Sequence, residues 1–346
     1  MFTAPADAAS RPADAVGVIR SHPESPAPLV SVVVSTRNHA RTLQNTIDGV
    51  MRQDIQAPIE LIIVDDASTD PTPAVLRENV ARAPRPLVYA RLPRQQGPAG
   101  GRNAGLNLAR GRFIAFTDSD CTPEPQWLRK AVEGFAEAGV GIVQGRTEAA
   151  SDRPPFFAHY IVTTKLDGSY STSNVIYRRE ALGDLRFDPA CTYNHNGRPD
   201  SRFFWEDVDL GWRVLATGWS ARFAEEAVVR HEVIPLRPRQ WVMWPEHYAL
   251  MPAKVARFPG FRRHLFLRTW VSPLNFWFDV ALLGVIAAPF LPLTLLLVLP
   301  YGVEFIRNRG IGGSFPPAKV AMYLAWDAVA LWSLAGSSLR NRALVL

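Results

Sequence analysis

Over the first two-thirds of the chain, apolar residues arrive in short solid blocks separated by longer stretches with helical spacing. Residues 30–34 (VSVVV) form a β-branched run, as expected of a parallel strand covered on both faces. Leu43, Ile47, Val50 and Met51 then recur at helical spacing, followed by a second buried strand at 61–64 inside "IELIIVDDASTD". The pattern continues with a helix over 73–81, a strand over 86–92, a helix over 100–109 and a strand over 112–117. Strands alternating with helices at this period predict a doubly wound α/β sheet. Residues 123–138 read as a helix and 140–148 as a strand. Beyond a break at "SDRPPFF", the periodicity weakens, with a strand near 172–177, a helix over 207–217 and a strand over 227–231. This second half is where a further ligand pocket is expected.

The C-terminal quarter has a different pattern. Residues 276–299 are apolar apart from Asp279 and Thr294, long enough at about 1.5 Å per residue to cross a bilayer core of about 30 Å. A second apolar stretch covers 321–339, which predicts a helical hairpin over 275–346. Pro289 and Pro292 interrupt the first stretch, so a kinked or re-entrant hairpin is the alternative, and an amphipathic pair packed on a soluble domain is a third. Between 236 and 274, Trp241, Trp244, Tyr248, Phe258 and Phe261 interleave with Arg and Lys, the composition of an interfacial segment facing lipid headgroups. Residues 1–28, rich in Ala, Pro, Ser and Asp and without the basic start and apolar run of a signal peptide, are expected to be a disordered lead-in. The domain expectation is therefore a lead-in over 1–28, an α/β domain over 29–235, the interfacial segment over 236–274 and the hairpin over 275–346.

The chain has 346 residues, 47% hydrophobic and 20% charged, with a formal net charge of +6. Such a surplus suits nucleic acid, an anionic membrane or a phosphorylated substrate, and the apolar stretch that follows the basic segment argues against nucleic acid. Two cysteines, Cys121 and Cys191, are too few for a disulfide scaffold or a zinc site and fit a reducing compartment.

Candidate chemistry lies where strands end. Ser35 and Thr36, Asp65 and Asp66, and Asp118 and Asp120 each follow an apolar run, and ligands of open α/β sheets bind beyond the carboxyl ends of the strands. Carboxylates crowded on one edge repel unless a cation or hydrogen-bond donors sit among them, and a divalent metal bridging a diphosphate would supply that cation. An Asp after a strand is also a common turn former or helix cap, so Asp65 alone carries no function. Asp118 and Asp120, two residues apart, can both reach one ion from a turn. Glu206, Asp207 and Asp209 crowd the start of a helix, more acids than one N-terminal cap requires.

The segments "VSVVVSTRN", "LIIVDDASTD", "GPAGGRNAGLNLARG", "FTDSD" and "WEDVDLGWR", in this order and spacing, resemble the inverting family 2 glycosyltransferases of GT-A fold over about residues 29–235. The resemblance implies a Rossmann-like, mostly parallel mixed sheet followed by a C-terminal helical membrane-associated region. It places Ser35 and Asp66 against the nucleotide base and ribose, and makes Arg102 a nucleotide-binding residue whose turn Asn103 packs. Asp118 and Asp120 match the metal-binding DxD element, with Asp120 the more direct ligand and His231 at the third position, holding Mn2+ or Mg2+. Asp207 is the implied general base, with Glu206 positioning the acceptor or its helix. The segment 170–180 resembles the region near donor sugar and acceptor, making Asn174 and Arg178 candidates and Gln144 a weaker one. The implied activity is inverting transfer of a sugar from a nucleotide diphosphate donor to a hydroxyl of a lipid-linked saccharide or cell-envelope glycan, on the cytoplasmic face of a membrane and without nucleic acid. The alternatives are a polyprenyl-phosphate glycosyltransferase, whose acceptor needs no base, a processive polysaccharide synthase, and a sugar-nucleotide-binding protein without turnover.

Overall fold

The computed structural model describes residues 17–22, 26–193, 203–309 and 316–346. The chain divides into two compact units. Of the described residues, one unit holds most of those up to Ile234, and the other holds those from 235 to 346 with the short piece 155–159.

The first unit is built on a nine-stranded mixed sheet. Its strands are β1 (Val18–Arg20), β2 (Val30–Thr36), β3 (Ile59–Asp65), β4 (Leu87–Arg91), β5 (Phe113–Phe116), β6 (Cys121–Pro123), β7 (Val140–Ala149), β8 (Val175–Arg178) and β9 (Ser220–His231). Their spatial order is β1-β4-β3-β2-β5-β8-β7-β9-β6. Strands β4, β3, β2 and β5 run parallel. From β2 the chain steps outward through β3 and β4, then crosses back to place β5 on the other side of β2, so the topological switch lies between β2 and β5. This parallel core explains the solid apolar runs. Val30, Val32, Val34, Leu61, Ile62 and Ile63 are all buried because helices cover both faces. Glu60 breaks the run in β3 yet is fully buried; it accepts from Ser31 Oγ (2.7 Å) and from the Arg110 backbone N–H (2.8 Å) and guanidinium (2.9 Å).

Helix α1 (Leu43–Met51) buries Leu43, Ile47 and Val50, the expected stripe, and α2 is Thr72–Arg82. Helix α3 (Gly97–Leu108) starts three residues before the predicted 100. Its Gly105 allows close packing on β2, since a Cβ there would lie 2.4 Å from Val33 Cγ1. Helix α4 (Trp127–Glu133) is shorter than the predicted 123–138, because Cys121–Pro123 is instead a strand on the sheet edge and the helical hydrogen bonding ends at Gly134. The strand predicted near 172 begins at Val175 and runs antiparallel to both β5 and β7, the one reversed strand inside the sheet. A four-residue helix α5 (Arg179–Leu182) follows it, and α6 is Glu206–Ala216. The last strand is longer than the predicted 227–231, starting at Ser220, and its register on β7 shifts between Ala224 and Val228. The expectation of disorder through residue 28 fails at Val18–Arg20, which adds an antiparallel edge strand to β4.

The second unit is helical: α7 (Pro238–Val242), α8 (Leu250–Arg257), α9 (Pro273–Ala287), α10 (Val298–Arg309) and α11 (Pro317–Asn341), with 3₁₀ turns between several of them. Trp241 packs with Phe156, Tyr323 and Trp326, and buried Asp327 accepts from Tyr301 Oη (2.7 Å) and pairs with Arg309 (2.6 Å). The predicted span 276–299 is not one helix. Residues after Ala287 leave helical geometry, and Pro292–Leu297 forms a 3₁₀ turn before α10. The second predicted span lies inside α11, whose 25 residues are long and apolar enough to cross a membrane by length and composition.

Candidate functional site: a cavity at the carboxyl ends of the parallel strands

The parallel arrangement brings the ends of β2, β3 and β5 to one edge, and a cavity of about 400 Å³ opens there. Its walls include Ser35, Thr36, Asp66, Arg102, Asp118, Asp120 and His231. A larger cavity of about 850 Å³ lies at the opposite ends of these strands, around Ile59, Glu60 and Pro86, away from the clustered acids.

Asp65 and Asp66 are neighbours with separate tasks. Asp65 turns inward, accepting from Ser68 N (2.7 Å), Tyr89 Oη (3.3 Å) and Arg91 Nη1 (3.0 Å). Asp66 faces the cavity and takes the backbone N–H groups of Gln96 (2.6 Å) and Gly97 (2.9 Å), so it also fixes the entry to α3. Burial pushes its carboxyl up from the ordinary carboxylate range, against these donors and the Arg37 charge. Gly97 adopts φ +78, a left-handed geometry that glycine reaches at low cost. Gly101, one turn on, lies so close to β2 that a Cβ would sit 2.0 Å from Ser35 Oγ.

Arg102 is the hinge of the site. Its Nη1 donates to Glu206 Oε1 (2.5 Å) and its Nη2 to Asp118 Oδ1 (3.0 Å), which ties α3 both to the DxD turn and to the start of α6. Burial alone would lower the guanidinium; Asp118, Glu206 and Asp207 outweigh it and hold Arg102 above its ordinary value. Glu206 is 2% exposed, and its Oε2 has no hydrogen-bond partner among the described residues. Asp207, half-buried beside it, accepts from Val208 N (2.7 Å). Glu206 and Asp207 lie outside the cavity wall itself and connect to it through Arg102. Asp209 is not a site group: it is fully buried and paired with Arg213 (2.7 Å) one turn along α6.

Asp120 and His231 come together through the sheet edge. β6 pairs antiparallel with β9, putting Cys121 opposite His231, and His231 Nε2 lies 3.8 Å from Asp120 Oδ1. His231 Nδ1 is 2.7 Å from the carbonyl oxygen of Glu232. Only a protonated nitrogen can donate there, so Nδ1 carries a proton and Nε2 is the nitrogen that faces Asp120, the orientation of a metal-binding histidine. Donor atoms of Asp120, Cys121 and His231 all lie within 4.8 Å of one another. The residues thus fit a divalent cation. Burial raises the Asp120 carboxyl above its ordinary value.

Three predicted residues are elsewhere. Asn174 is 1% exposed and its amide is consumed inside the sheet: Oδ1 accepts from Trp127 Nε1 (2.7 Å), and Nδ2 donates to the carbonyls of Arg146 and Ala227 (2.8 Å each). It staples β7, β9 and α4 and is not in the cavity wall. Arg178 is likewise spent, donating to the carbonyls of Val140 and Phe135 (3.0 Å each). Gln144 is 1% exposed and reaches Ser169 Oγ (3.3 Å). Asn103, expected to pack its own turn, instead exchanges hydrogen bonds with the backbone of Phe187, 84 residues along the chain (2.8 and 2.9 Å).

Sequence reasoning missed Arg37, His39 and Ser119. Arg37 donates to the Asp66 and Ala67 carbonyls (2.9 and 3.3 Å), and His39 Nδ1 meets Ser119 Oγ (2.6 Å), so the loops after β2, β3 and β5 are laced together. A basic residue directly after a strand that ends in Ser-Thr, on an edge already rich in acids, was the available signal for Arg37.

Comparison with known proteins agrees with this geometry. The family described as "Glycosyl transferase family 2" matches residues 31–189, and "Glycosyl transferase family group 2" matches residues 113–306, more than half of the chain. The chain is 40% identical over 125 residues to the succinoglycan biosynthesis protein ExoO of Rhizobium meliloti, covering 36% of this chain and 34% of that protein. It is 28% identical over 226 residues to the glycosyltransferase AglE of Haloferax volcanii, covering 62% and 69%. The aligned part therefore spans about a third of the Rhizobium protein. Among solved structures, the mannosyltransferase PcManGT from Pyrobaculum calidifontis in complex with GDP-Man and Mn2+ superposes with a TM-score of 0.54 at 21% identity, over 92% of this chain and 88% of that one. S. aureus TarS 1-349 in complex with UDP gives a TM-score of 0.50 at 17% identity, over 90% and 91%. The mixed sheet is that of the GT-A fold, and the chain belongs to the family 2 glycosyltransferases.

Proposed function

We propose that this protein transfers a sugar from a nucleotide diphosphate sugar to a hydroxyl acceptor, with inversion and with a divalent cation. The observation that carries the proposal is the convergence of Asp66, Arg102, Asp118, Asp120 and His231 on one cavity at the switch point of a parallel sheet. The orphaned Thr36 hydroxyl in its wall, buried without a partner among the described residues, is a further group that a bound ligand would satisfy. GDP-Man with Mn2+ in PcManGT and UDP in TarS are nucleotide ligands of the kind this cavity would take.

Asp66 and Ser35 hold the nucleoside part. Asp120 and His231 would hold the cation, with Asp118 beside them already engaged by Arg102. When bound, Mn2+ or Mg2+ neutralises the diphosphate as charge builds on the leaving oxygen. Arg102 keeps α3, the DxD turn and α6 in one register. Asp207 takes the acceptor hydroxyl proton during attack on the anomeric carbon, a step worth roughly 10²- to 10⁴-fold in rate. One displacement from the face opposite the leaving group inverts that carbon. Glu206 spends one oxygen on Arg102, which suits it to position Asp207's helix rather than to act as the base.

The acceptor we propose is a lipid-linked saccharide or cell-envelope glycan, and the place the cytoplasmic face of a membrane. Supporting this are the apolar exposed helices of the second unit and the kind of relatives the chain has, including an undecaprenol-linked glycan glucosyltransferase of Campylobacter jejuni, 33% identical over 113 residues. The test is nucleotide release from a panel of UDP- and GDP-sugars with membrane extract, followed by mass spectrometry of the product. Asp207→Asn is expected to bind donor but lose transfer. Normal transfer by that variant would remove Asp207 as the base.

A further inference from the structure

We propose that the second unit enters only one leaflet of an anionic bilayer: the hairpin of α9, the turn over 288–297 and α10 dips in and returns, while α11 lies along the interface. This rests on the membrane attachment proposed above and commits it to a geometry.

The chain reverses at the tip of α9. Thr294 Oγ1 donates to the carbonyl of Gly284 (2.8 Å), and a Cβ on Gly284 would lie 2.5 Å from the Thr294 carbonyl oxygen, so the returning segment lies flat against the helix. The apolar part of the outgoing leg begins after Asp279, which accepts from Trp270 Nε1 (3.0 Å), and runs to Ala287. At about 1.5 Å per residue those eight residues reach roughly 12 Å, under half of a bilayer core of about 30 Å. On the return, the first charged residue is Glu304, facing Arg307 at 3.8 Å. Both legs therefore become polar at comparable distances from the tip.

The tip and the end of α9 that leads to it expose apolar side chains. Phe290 is 92% exposed, Leu293 73%, Leu283 65% and Ile286 62%. Charge supplies the occupant: between residues 236 and 346 there are twelve Lys and Arg against four Asp and Glu, with Arg257, Arg263, Arg268, Arg307, Arg340 and Arg342 exposed. An apolar tip with a basic base is complementary to an anionic leaflet. Helix α11 is long enough to span, but between 319 and 339 its exposed side chains, Ala321, Leu324, Ala328, Trp332 and Leu339, fall on one face at helical spacing. The opposite face is packed: Asp327 holds Arg309 and Ser337 Oγ donates to the Ala249 carbonyl (2.6 Å). That one-sided stripe is the pattern of an interfacial helix.

The test uses the full chain added to preformed vesicles of phosphatidylcholine with and without 30 mol % phosphatidylglycerol. Leu293→Cys is labelled with bimane; Cys121 and Cys191 are buried and leave position 293 as the reactive site. Expected are flotation that needs the anionic lipid, quenching of the bimane by doxyl lipids, and none by an impermeant quencher sealed in the lumen. Lumenal quenching would mean that the hairpin crosses, and absence of doxyl quenching would mean that the tip stays out of lipid; either overturns the proposal. Phe290→Asp is expected to lower the vesicle-bound fraction at least tenfold, and unchanged binding overturns it too. Nucleotide binding by Phe290→Asp in the absence of vesicles reads the glycosyltransferase assignment separately, so the two readings fail independently.

Discussion

The bridge from Arg102 to Glu206 and Asp118 offers the sharpest test of how the site is held. Glu206 is 2% exposed and the Arg102 side chain 12%, so water screens neither partner, and the contact is 2.5 Å. Arg102→Met leaves Glu206 buried beside Asp118 and Asp207 with its cation gone. Removing one partner of a buried pair costs about 3–5 kcal/mol. For a unit of roughly 200 residues that is about 2–4 °C per kcal/mol, a loss of roughly 6–20 °C in Tm. Glu206→Gln retains a carbonyl oxygen for the guanidinium, and Asp118 still pairs with it, so the loss should be smaller, about 1–2 kcal/mol. The decisive quantity is the double variant. If the two groups act mainly on each other, Arg102→Met combined with Glu206→Gln should be less destabilised than the sum of the single losses by at least about 1.5 kcal/mol, measured by urea unfolding. Additivity within about 0.5 kcal/mol would show that the bridge does not join α3 to α6 energetically, and the positioning role of Glu206 would fall with it.

Further outcomes follow from the same geometry. Asn174→Ala should cost about 2–4 kcal/mol, because three buried partners lose their hydrogen bonds, while the folded fraction keeps its donor KM; a raised donor KM without loss of Tm would return Asn174 to the ligand site. Gly101→Ala should weaken nucleotide binding tenfold or more by pushing α3 away from Ser35, and unchanged titration calorimetry would contradict that close approach. Asp120→Ala should abolish saturable Mn2+ binding seen by electron paramagnetic resonance; an unchanged Mn2+ Kd would place the cation elsewhere. At pH 8 the buried Cys121, its thiol pushed well up by burial, should resist a maleimide in the folded protein and react once unfolded in urea. Fast labelling of the native chain would show that the β6 edge opens.

The doubly wound core was legible because parallel strands are buried on both faces and so write themselves as unbroken apolar runs, as at Val32–Val34 and Leu61–Val64. The carboxylates at the strand ends were legible for a related reason: a run that stops at the sheet's edge leaves its next residues in the ligand cleft. Whatever depends on a long-range partner was not. Nothing local distinguishes Asn174, whose three partners lie 28 to 53 residues away, from a ligand-binding amide. The antiparallel β8 was read only as a strand, since its direction is set by where the chain returns. Over 276–299 hydropathy, which sums a window, reads as one span, while Pro289 and Pro292 carried the alternative of a kinked or re-entrant hairpin, and the helix does end at Ala287.

The acids at the edge are not equivalent, and their partners say which one a cation would join. Asp65 is neutralised within the fold by Arg91, and Asp118 by Arg102. Asp66 spends its two oxygens on the backbone N–H groups that open α3. Asp120 is different: it faces the Nε2 of His231, 3.8 Å away, and that histidine is oriented by the Glu232 carbonyl so that Nε2, not Nδ1, points back. The strand pairing of β6 with β9 holds the two together through Cys121 and His231. A dication between them would take the carboxylate and the Nε2 of a neutral imidazole as two ligands, so removing either member should lower metal affinity far more than it lowers stability. An Asp120→Ala or His231→Ala protein that lost several degrees of Tm without metal, and bound Mn2+ as before, would mean that the pair is a structural clasp instead.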